Sequence, residues 1–361
     1  MPRIPLRLRL PTETAAVIKE RIAEGEIRDI LPGERKLAEK LHVARDTVRL
    51  ALDLLEKQGI ISESDKGRRR RIITPAPSTQ PSKGLKRIGF LSRVPINRLP
   101  GPMLLELDKL REVLAEKGLS LHVESPSIFD MEGANIRLRD LVNSSGYDCW
   151  ILYQSTHTIQ AWFQKNKVPC IVRGTPHPDI NLPYIDTDWE GCAMHAVNVL
   201  RRNGHKNIAL MFPNRPLAGL YSAERGFKKA METIPGGHPL ILVDEGTTES
   251  TIKGVQEAMQ GPNPPTALIT TRSRHVLNAF SWLATANLKP GKDISIIALS
   301  EEIWFEHLSP TIAHYHMDTS RMVRLIIGKL EVIESLAQAM KQTSMVLPEF
   351  VKGDSVAQAP S

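Results

Sequence analysis

Residues 31–61, LPGERKLAEKLHVARDTVRLALDLLEKQGII, constrain this chain more than any other stretch. Leu37, Ala38 and Leu41 fall on one helical face, and Val48, Ala51, Leu52 and Leu55 fall on another. The pattern predicts two short amphipathic helices joined by a tight turn. Upstream, residues 12–24 place Ala15, Ile18 and Ile22 on one stripe. That predicts a preceding helix, with Thr12 as its N-cap and Glu13 in its first turn. Gly59 is a C-terminal stop signal. Ile60-Ile61 then starts a short strand, Asp65-Lys66-Gly67 supplies a turn, and Arg71-Ile72-Ile73 returns. Three helices and a basic hairpin make a small α+β winged helix–turn–helix domain, expected over residues 1–73.

The third helix carries Arg45 and Arg49 one turn apart. An arginine fork matches guanine O6 and N7 bidentately, and a helix lying in a major groove brings such side chains to base edges. The alternative role for these two is surface pairing with Asp46 or Asp53. Charge placement favours the first role. Residues 1–87 hold 20 Lys and Arg against 12 Asp and Glu, whereas the rest of the chain holds 27 against 28. A basic head on a near-neutral body points to double-stranded DNA as the head's partner. Arg68 to Arg71 in the wing are expected to act mainly through phosphates, with only half of them facing the duplex on an alternating strand.

Residues 74–86, rich in Pro and Ser, read as a linker. From residue 87 to 361 the pattern changes to apolar strand-like runs alternating with helical ones. The runs are 88–91, 150–153, 170–172, 208–211, 240–243, 267–270 and 294–298, with helices near 102–117, 158–166, 190–203, 222–233 and 274–286. Such alternation implies parallel sheets covered by helices on both faces, and this much chain implies two lobes. Cys149, Cys170 and Cys192 lie in apolar contexts and read as buried thiols, not as a disulfide framework or zinc site. The N-terminal MPRIPLRLRLP has no apolar core, and no stretch approaches a membrane span, so a cytoplasmic protein without membrane contact is expected.

The first 72 residues resemble the GntR family of winged helix–turn–helix regulators. The resemblance rests on Leu31-Pro32-Gly33-Glu34-Arg35-Lys36-Leu37-Ala38 and on Val43-Ala44-Arg45-Asp46-Thr47-Val48-Arg49-Leu50-Ala51-Leu52, which match that family's two hallmark stretches without a gap. It implies DNA contact by Arg35, Arg45, Thr47 and Arg49, and by the wing residues Lys66, Gly67 and Arg68. Gly33 and Ala44 stand where the family usually has helix-capping serines. The wing runs Gly67-Arg68-Arg69-Arg70-Arg71-Ile72 in place of Gly-Thr-x-Val, trading a glycine for charge.

Residues 87–355 resemble the effector domain of the LacI/GalR repressors, a two-lobed periplasmic-binding-protein-like fold. The matching segments include Tyr184 to Gly191, Gly204 to Ala209, Arg225-Gly226-Phe227, Leu288 to Ala298 and Leu347 to Ser355. A GntR-type head on such a body is similar to the arabinose repressor architecture. The resemblance implies a small-molecule effector, a sugar or related polar metabolite, and a homodimer. Three positions depart from the family's sugar pocket: Ala223 replaces an Arg, Ser300 replaces an Asp, and Ser273 follows Arg272 where the family has an Asp. A pocket without those charged groups is poorly equipped for a typical hexose. Ligand-contact candidates at strand ends are Ser92, Arg93, Tyr153, Arg173, Asp188, Trp189, Tyr221, Ser300 and Trp304.

His314-Tyr315-His316 puts two imidazoles on one face of a strand, but no third metal ligand beyond Asp318 is near, so no metal site is expected. The chain has no GxxxxGK[ST], GxGxxG or GxSxG motif, which leaves an enzymatic role without support and implies no cofactor. The function expected is a ligand-responsive DNA-binding transcriptional regulator acting as a repressor. Two alternatives stand beside it: a dimeric DNA-binding protein whose body senses no ligand, and a cytoplasmic small-molecule-binding protein.

Overall fold

A computed structural model describes residues 9–23, 27, 31–41, 43–57, 60–62, 70, 85–126, 134–333, 339 and 345–360. The chain divides into two units, Met1–Gln80 and Pro81–Ser361.

In the first unit, helices α1 (Arg9–Ala23), α2 (Glu34–Leu41) and α3 (Arg45–Lys57) enclose a small core. Ala15 and Ile18 of α1, Leu37 of α2 and Val48, Ala51, Leu52 and Leu55 of α3 are buried together, with Ile60 and Ile61 beneath them. These are the apolar stripes of the sequence. Helix α1 begins at Arg9, so Thr12 lies inside the helix and is not its N-cap, a correction to the expected start. Helices α2 and α3 start on backbone hydrogen bonds alone: Leu37 N–H donates to Gly33 C=O at 3.0 Å, and Val48 N–H to Ala44 C=O at 3.2 Å. That is the consequence of having Gly33 and Ala44 where a hydroxyl would cap. Gly59, Lys66, Gly67, Arg68, Arg69, Arg71 and the expected linker at 74–84 lie outside the described residues.

The second unit holds two six-stranded sheets. Lobe one contains β1 (Arg87–Ser92), β2 (Ser120–Glu124), β3 (Cys149–Tyr153), β4 (Cys170–Arg173) and β5 (Tyr184–Thr187), interleaved with α4 (Gly101–Glu116), α5 (Ala134–Ser145) and α6 (His157–Asn166). Lobe two contains β6 (Asn207–Pro213), β7 (His238–Asp244), β8 (Ala267–Thr270), β9 (Ser295–Ala298) and β10 (Ala313–His316), with α8 (Ala218–Met231), α9 (Thr248–Gln260) and α10 (Ser273–Thr285). Strand order is β2-β1-β3-β4-β5 in lobe one and β7-β6-β8-β9-β10 in lobe two, all parallel. The central strands are buried on both faces, so they read as continuous apolar runs and not as alternation. Ile88, Ile151, Ile171 and Ile185 meet in one core, and Ile208, Leu210, Ile269 and Ile297 in the other.

The chain passes between the lobes three times. After β5 it enters α7 (Trp189–Arg202), which packs into the core of lobe two through Cys192, Ala193, Ala196, Val197 and Leu200. After β10 it returns as α11 (Thr319–Leu330), whose Met322, Val323 and Ile326 join the core of lobe one. Strand β11 (Met345–Val346) then extends lobe one beside β5, and β12 (Glu349–Val351) closes lobe two antiparallel to β10. The three cysteines are buried and free, two of them in lobe one. No described helix is long and apolar enough to cross a membrane.

Candidate functional site

Arg45 opens α3 and Arg49 follows one turn later, both pointing outward, with side chains 73% and 59% exposed. Arg35, near the start of α2, is more exposed still. Each rests on a neighbouring carboxylate: Arg45 on Glu34 at 3.3 Å, Arg49 on Asp46 at 3.2 Å and Arg35 on Glu39 at 3.2 Å. Exposed pairs of this kind are worth ~0–1 kcal/mol, so they hold the guanidinium groups in place at little cost to a competing phosphate or base. Thr47 is half-buried between the two arginines, and Leu50 on the next position is half exposed. Leu50 was not singled out from the sequence. Its signal was an apolar residue off the buried stripe of α3.

Arg70 departs from the wing expectation. Its side chain is only 11% exposed and faces three carboxylates: Asp53 at 3.2 Å, Glu56 at 3.4 Å and Glu34 at 3.9 Å. Its carbonyl accepts from Leu31 N–H at 3.0 Å. Arg70 therefore ties the segment before α2 to α3. Lys66, Gly67 and Arg68 lie outside the described residues.

In the body, parallel sheets leave a crevice beyond the carboxyl ends of their strands, where connections diverge. A cavity of about 190 Å³ lies there between the lobes. Tyr153 and Arg173, the last residues of β3 and β4, line it from lobe one. Thr271, Arg272, Leu299 and Ser300 line it from beyond β8 and β9 in lobe two. Trp189 and Ala223 also reach it.

Buried charge organises the wall. Arg173 donates from Nε and Nη2 to the two oxygens of Glu106, at 2.7 and 2.9 Å, and its Nη1 lies 3.5 Å from Asp186 Oδ1. Burial alone would lower the pKa of this guanidinium. Glu106, by charge and hydrogen bond, and Asp186 outweigh that and hold it firmly protonated. Asp186 Oδ2 accepts from Thr175 Oγ1 at 2.6 Å and Trp189 Nε1 at 3.1 Å, and Oδ1 from Thr187 N–H at 2.8 Å. Burial nonetheless raises its carboxyl above the usual range, against the pull of Arg173 and these donors. The indole of Trp189 sits so close to Gly219 that a Cβ there would be 2.9 Å from its ring. Burial also raises the Tyr153 phenol and so keeps it protonated, while Gln154 Nε2 donates to its oxygen at 3.2 Å.

Of the nine candidates, Tyr153, Arg173, Trp189 and Ser300 line the cavity, and five do not. Ser92 closes its own turn, its Oγ donating to Val94 C=O at 2.6 Å. Arg93 lies outside the lining. Asp188 caps α7, accepting from Gly191 N–H at 2.9 Å. Tyr221 is half exposed on α8, and Trp304 packs edge-on against Phe305 at 4.6 Å. Charged groups line the cavity beside Ala223 and Ser300: Glu106, Arg173, Asp186, Arg272 and Glu301. Sequence reasoning missed Glu106 and Asp186, which come from a helix face and from one residue before a strand end. His314 and His316 go to separate partners, the Ile312 carbonyl at 2.8 Å and Glu301 at 2.7 Å.

Comparison with known proteins bears on both units. Residues 10–69 match the bacterial regulatory proteins of the gntR family, and residues 197–356 match a periplasmic binding protein-like domain. The HTH-type transcriptional repressor CytR of Escherichia coli is 26% identical over 169 residues, 45% of this chain and 50% of that protein. This chain thus spans about half the length of that curated relative. The arabinose metabolism transcriptional repressor of Geobacillus stearothermophilus is 23% identical over 342 residues, 90% of this chain and 89% of that protein. In fold, a LacI family transcriptional regulator from Enterococcus faecium, solved with bound ribose, superposes with a TM-score of 0.59 at 19% identity, covering 76% of this chain and all of that one (100%).

Proposed function

We propose that this chain, a gntR-type helix–turn–helix head joined to a periplasmic-binding-protein-like body, is a DNA-binding transcriptional repressor controlled by a small polar ligand. The observation that carries the reading is the pairing of two features in one chain. An outward-facing arginine pair stands on a recognition-type helix, and a cavity with buried charged groups lies between two lobes. Arg45 and Arg49 read base edges, Arg35 and Thr47 position the helix, and the wing residues Lys66, Gly67 and Arg68 add phosphate contact. Two heads on a two-fold operator require a homodimer held by the body. The ligand occupies the inter-lobe cavity against Tyr153, Trp189 and Ser300, with Arg173 fixing the wall. A sugar-like ligand fits the likeness to the ribose-bound regulator.

The test begins with duplexes selected from a random pool by the full chain. Fluorescence anisotropy on the selected operator should show Arg45→Ala and Arg49→Ala each losing ~1–3 kcal/mol of specific binding, with preference relaxed at one base pair per half-site. Wild-type affinity in both variants would overturn the recognition-helix assignment. Sedimentation of the full chain should give a dimer at micromolar concentration. A ligand found by thermal shift should then change operator affinity by its difference in binding to the two body states, ~1–3 kcal/mol.

A further inference from the structure

The cavity lining contains three carboxylates and two guanidinium groups, and all but one of these five groups already have hydrogen-bond or ion-pair partners within the protein. Glu106 gives both oxygens to Arg173. Asp186 takes Thr175, Trp189 and the Thr187 N–H, with Arg173 beside it. Glu301 takes His316 Nδ1 at 2.7 Å and the Met317 N–H at 3.3 Å. Arg272 is the remaining charge. It lies at the N-terminal boundary of α10 and lines the cavity. Among the described residues no hydrogen bond or ion pair holds its guanidinium. Its neighbour in the chain, Arg274, is by contrast paired with the buried Asp244.

A second group points the same way. Ser300 lines the cavity, and its Oγ is buried without a hydrogen-bond partner. A buried hydroxyl left unpaired is costly, and so is a partly buried cation with no hydrogen-bond partner, so a ligand that satisfies both gains what the empty cavity lacks. The surroundings of Arg272 add to this. Burial lowers its pKa most, Tyr153 opposes that pull by more than the like charge of Arg215 adds to it, and Asp186 opposes it least. Tyr153 remains a protonated phenol that accepts from Gln154, so its own O–H is free to donate into the cavity. The unused groups thus include a cation and hydroxyl donors, whereas the three carboxylates are committed.

Resting on the reading of this cavity as the ligand site, we propose that it selects an anionic polyol, a sugar acid or a sugar phosphate, whose negative group is received by Arg272 with Ser300 donating beside it. A neutral sugar would leave the cation unmatched, and a cationic ligand would meet it with like charge. A bidentate arginine–carboxylate or arginine–phosphate contact is among the stronger hydrogen-bonded pairs.

The experiment uses the full chain and matched pairs: glucuronate against glucose, galacturonate against galactose, and the phosphate esters of glucose and ribose against their parent sugars. Calorimetry should show at least one anionic member binding tenfold or more tighter than its neutral parent. Arg272→Gln should abolish that preference, Arg272→Lys should restore part of it, and Ser300→Ala should weaken the anion more than the parent. The ligand-free Arg272→Gln protein should melt no lower than wild type, because an unmatched charge has been removed. A neutral parent binding as tightly as its acid, no anion binding at millimolar concentration, an unchanged anion affinity in Arg272→Gln, or a lower melting point for that variant would each overturn the proposal. The carboxylate and phosphate arms separate the two sources of charge. Repeating the binding with operator DNA separates this inference from the regulatory reading. An anion that binds without moving operator affinity leaves the site standing and removes the control, whereas a neutral sugar that releases operator does the reverse.

Discussion

Replacing Arg173 by Met should destabilise the body strongly, and the structure gives the size of the effect. Arg173 and Glu106 have side chains only 10% and 6% exposed and share a bidentate contact. Methionine fills the space of the stem but leaves the Glu106 carboxylate buried with no counter-charge. Breaking a buried pair in this way costs ~3–5 kcal/mol. Asp186 also loses the charge of Arg173 beside it, but Thr175, Trp189 and the Thr187 amide remain as its hydrogen-bond donors. Glu106→Gln should be costly for the mirror reason. The double variant Arg173→Met with Glu106→Gln should recover part of the loss, because neither partner is then left as an orphaned charge; coupling energies for such contacts are ~0.5–3 kcal/mol. Urea unfolding of the full chain, followed by tryptophan fluorescence, measures all three. Strictly additive costs, or a loss under ~1 kcal/mol for Arg173→Met, would refute the claim that this pair is desolvated and interdependent.

Three further outcomes follow from local geometry. Arg70→Ala should lower the melting point of the head by the equivalent of ~1–2 kcal/mol, since its partners Asp53 and Glu56 are only partly buried, while leaving the salt slope of DNA binding unchanged; a slope lower by about one unit would mean a phosphate contact. Gly226→Ala would place a Cβ 2.3 Å from the Glu190 carbonyl oxygen where α8 crosses α7, so unfolding experiments should show a loss of ~1–3 kcal/mol; an unchanged midpoint would mean the helices separate freely. His205 is buried against Thr266, Ser295 and the Ala357 carbonyl, and burial lowers its pKa below the ordinary histidine value. The unfolded chain therefore takes up the proton first as pH falls, so stability is lost on acidification below the unfolded pKa of ~6.5, and His205→Gln should flatten a melting-against-pH curve there.

The long buried runs were legible because a parallel strand covered on both faces has to be apolar throughout. Every one expected, from Ile88 to Ala298, is a strand in place. What escaped was set by tertiary contact. Strand β2 (SLHVE) lies at a sheet edge and is only half-buried, and β11 has two residues, held by pairing with β5. Helices α5 and α9 carry few buried residues, so their apolar signal is weak. The outward-facing arginines of α3 were legible because a helix of known phase decides which way they point. The cavity was less so. Strand-end reasoning finds the right height in the sheet, but the turn that follows decides direction. Asp186 and Asp188 are two apart and would share a face if β5 continued. The strand ends at Thr187, and Asp188 turns away to cap α7.

The same crossover explains how occupancy of the cavity would reach the rest of the molecule. Each of the three passages between lobes contributes to the lining: Asp186, Thr187 and Trp189 from the first, Tyr315, Met317 and Thr319 from the second, and Pro348 from the third. A lobe rotation must change the backbone at these passages, because each lobe's own core is close-packed. Trp189 illustrates the linkage, since its Nε1 is bonded to Asp186 at the end of lobe one while its ring abuts Gly219 on lobe two. A ligand that touches Tyr153 on one side and Arg272 on the other therefore binds open and closed arrangements with different affinities. That difference is the physical requirement for control. A ligand held by one lobe alone would bind both arrangements equally and shift nothing, however tightly it bound.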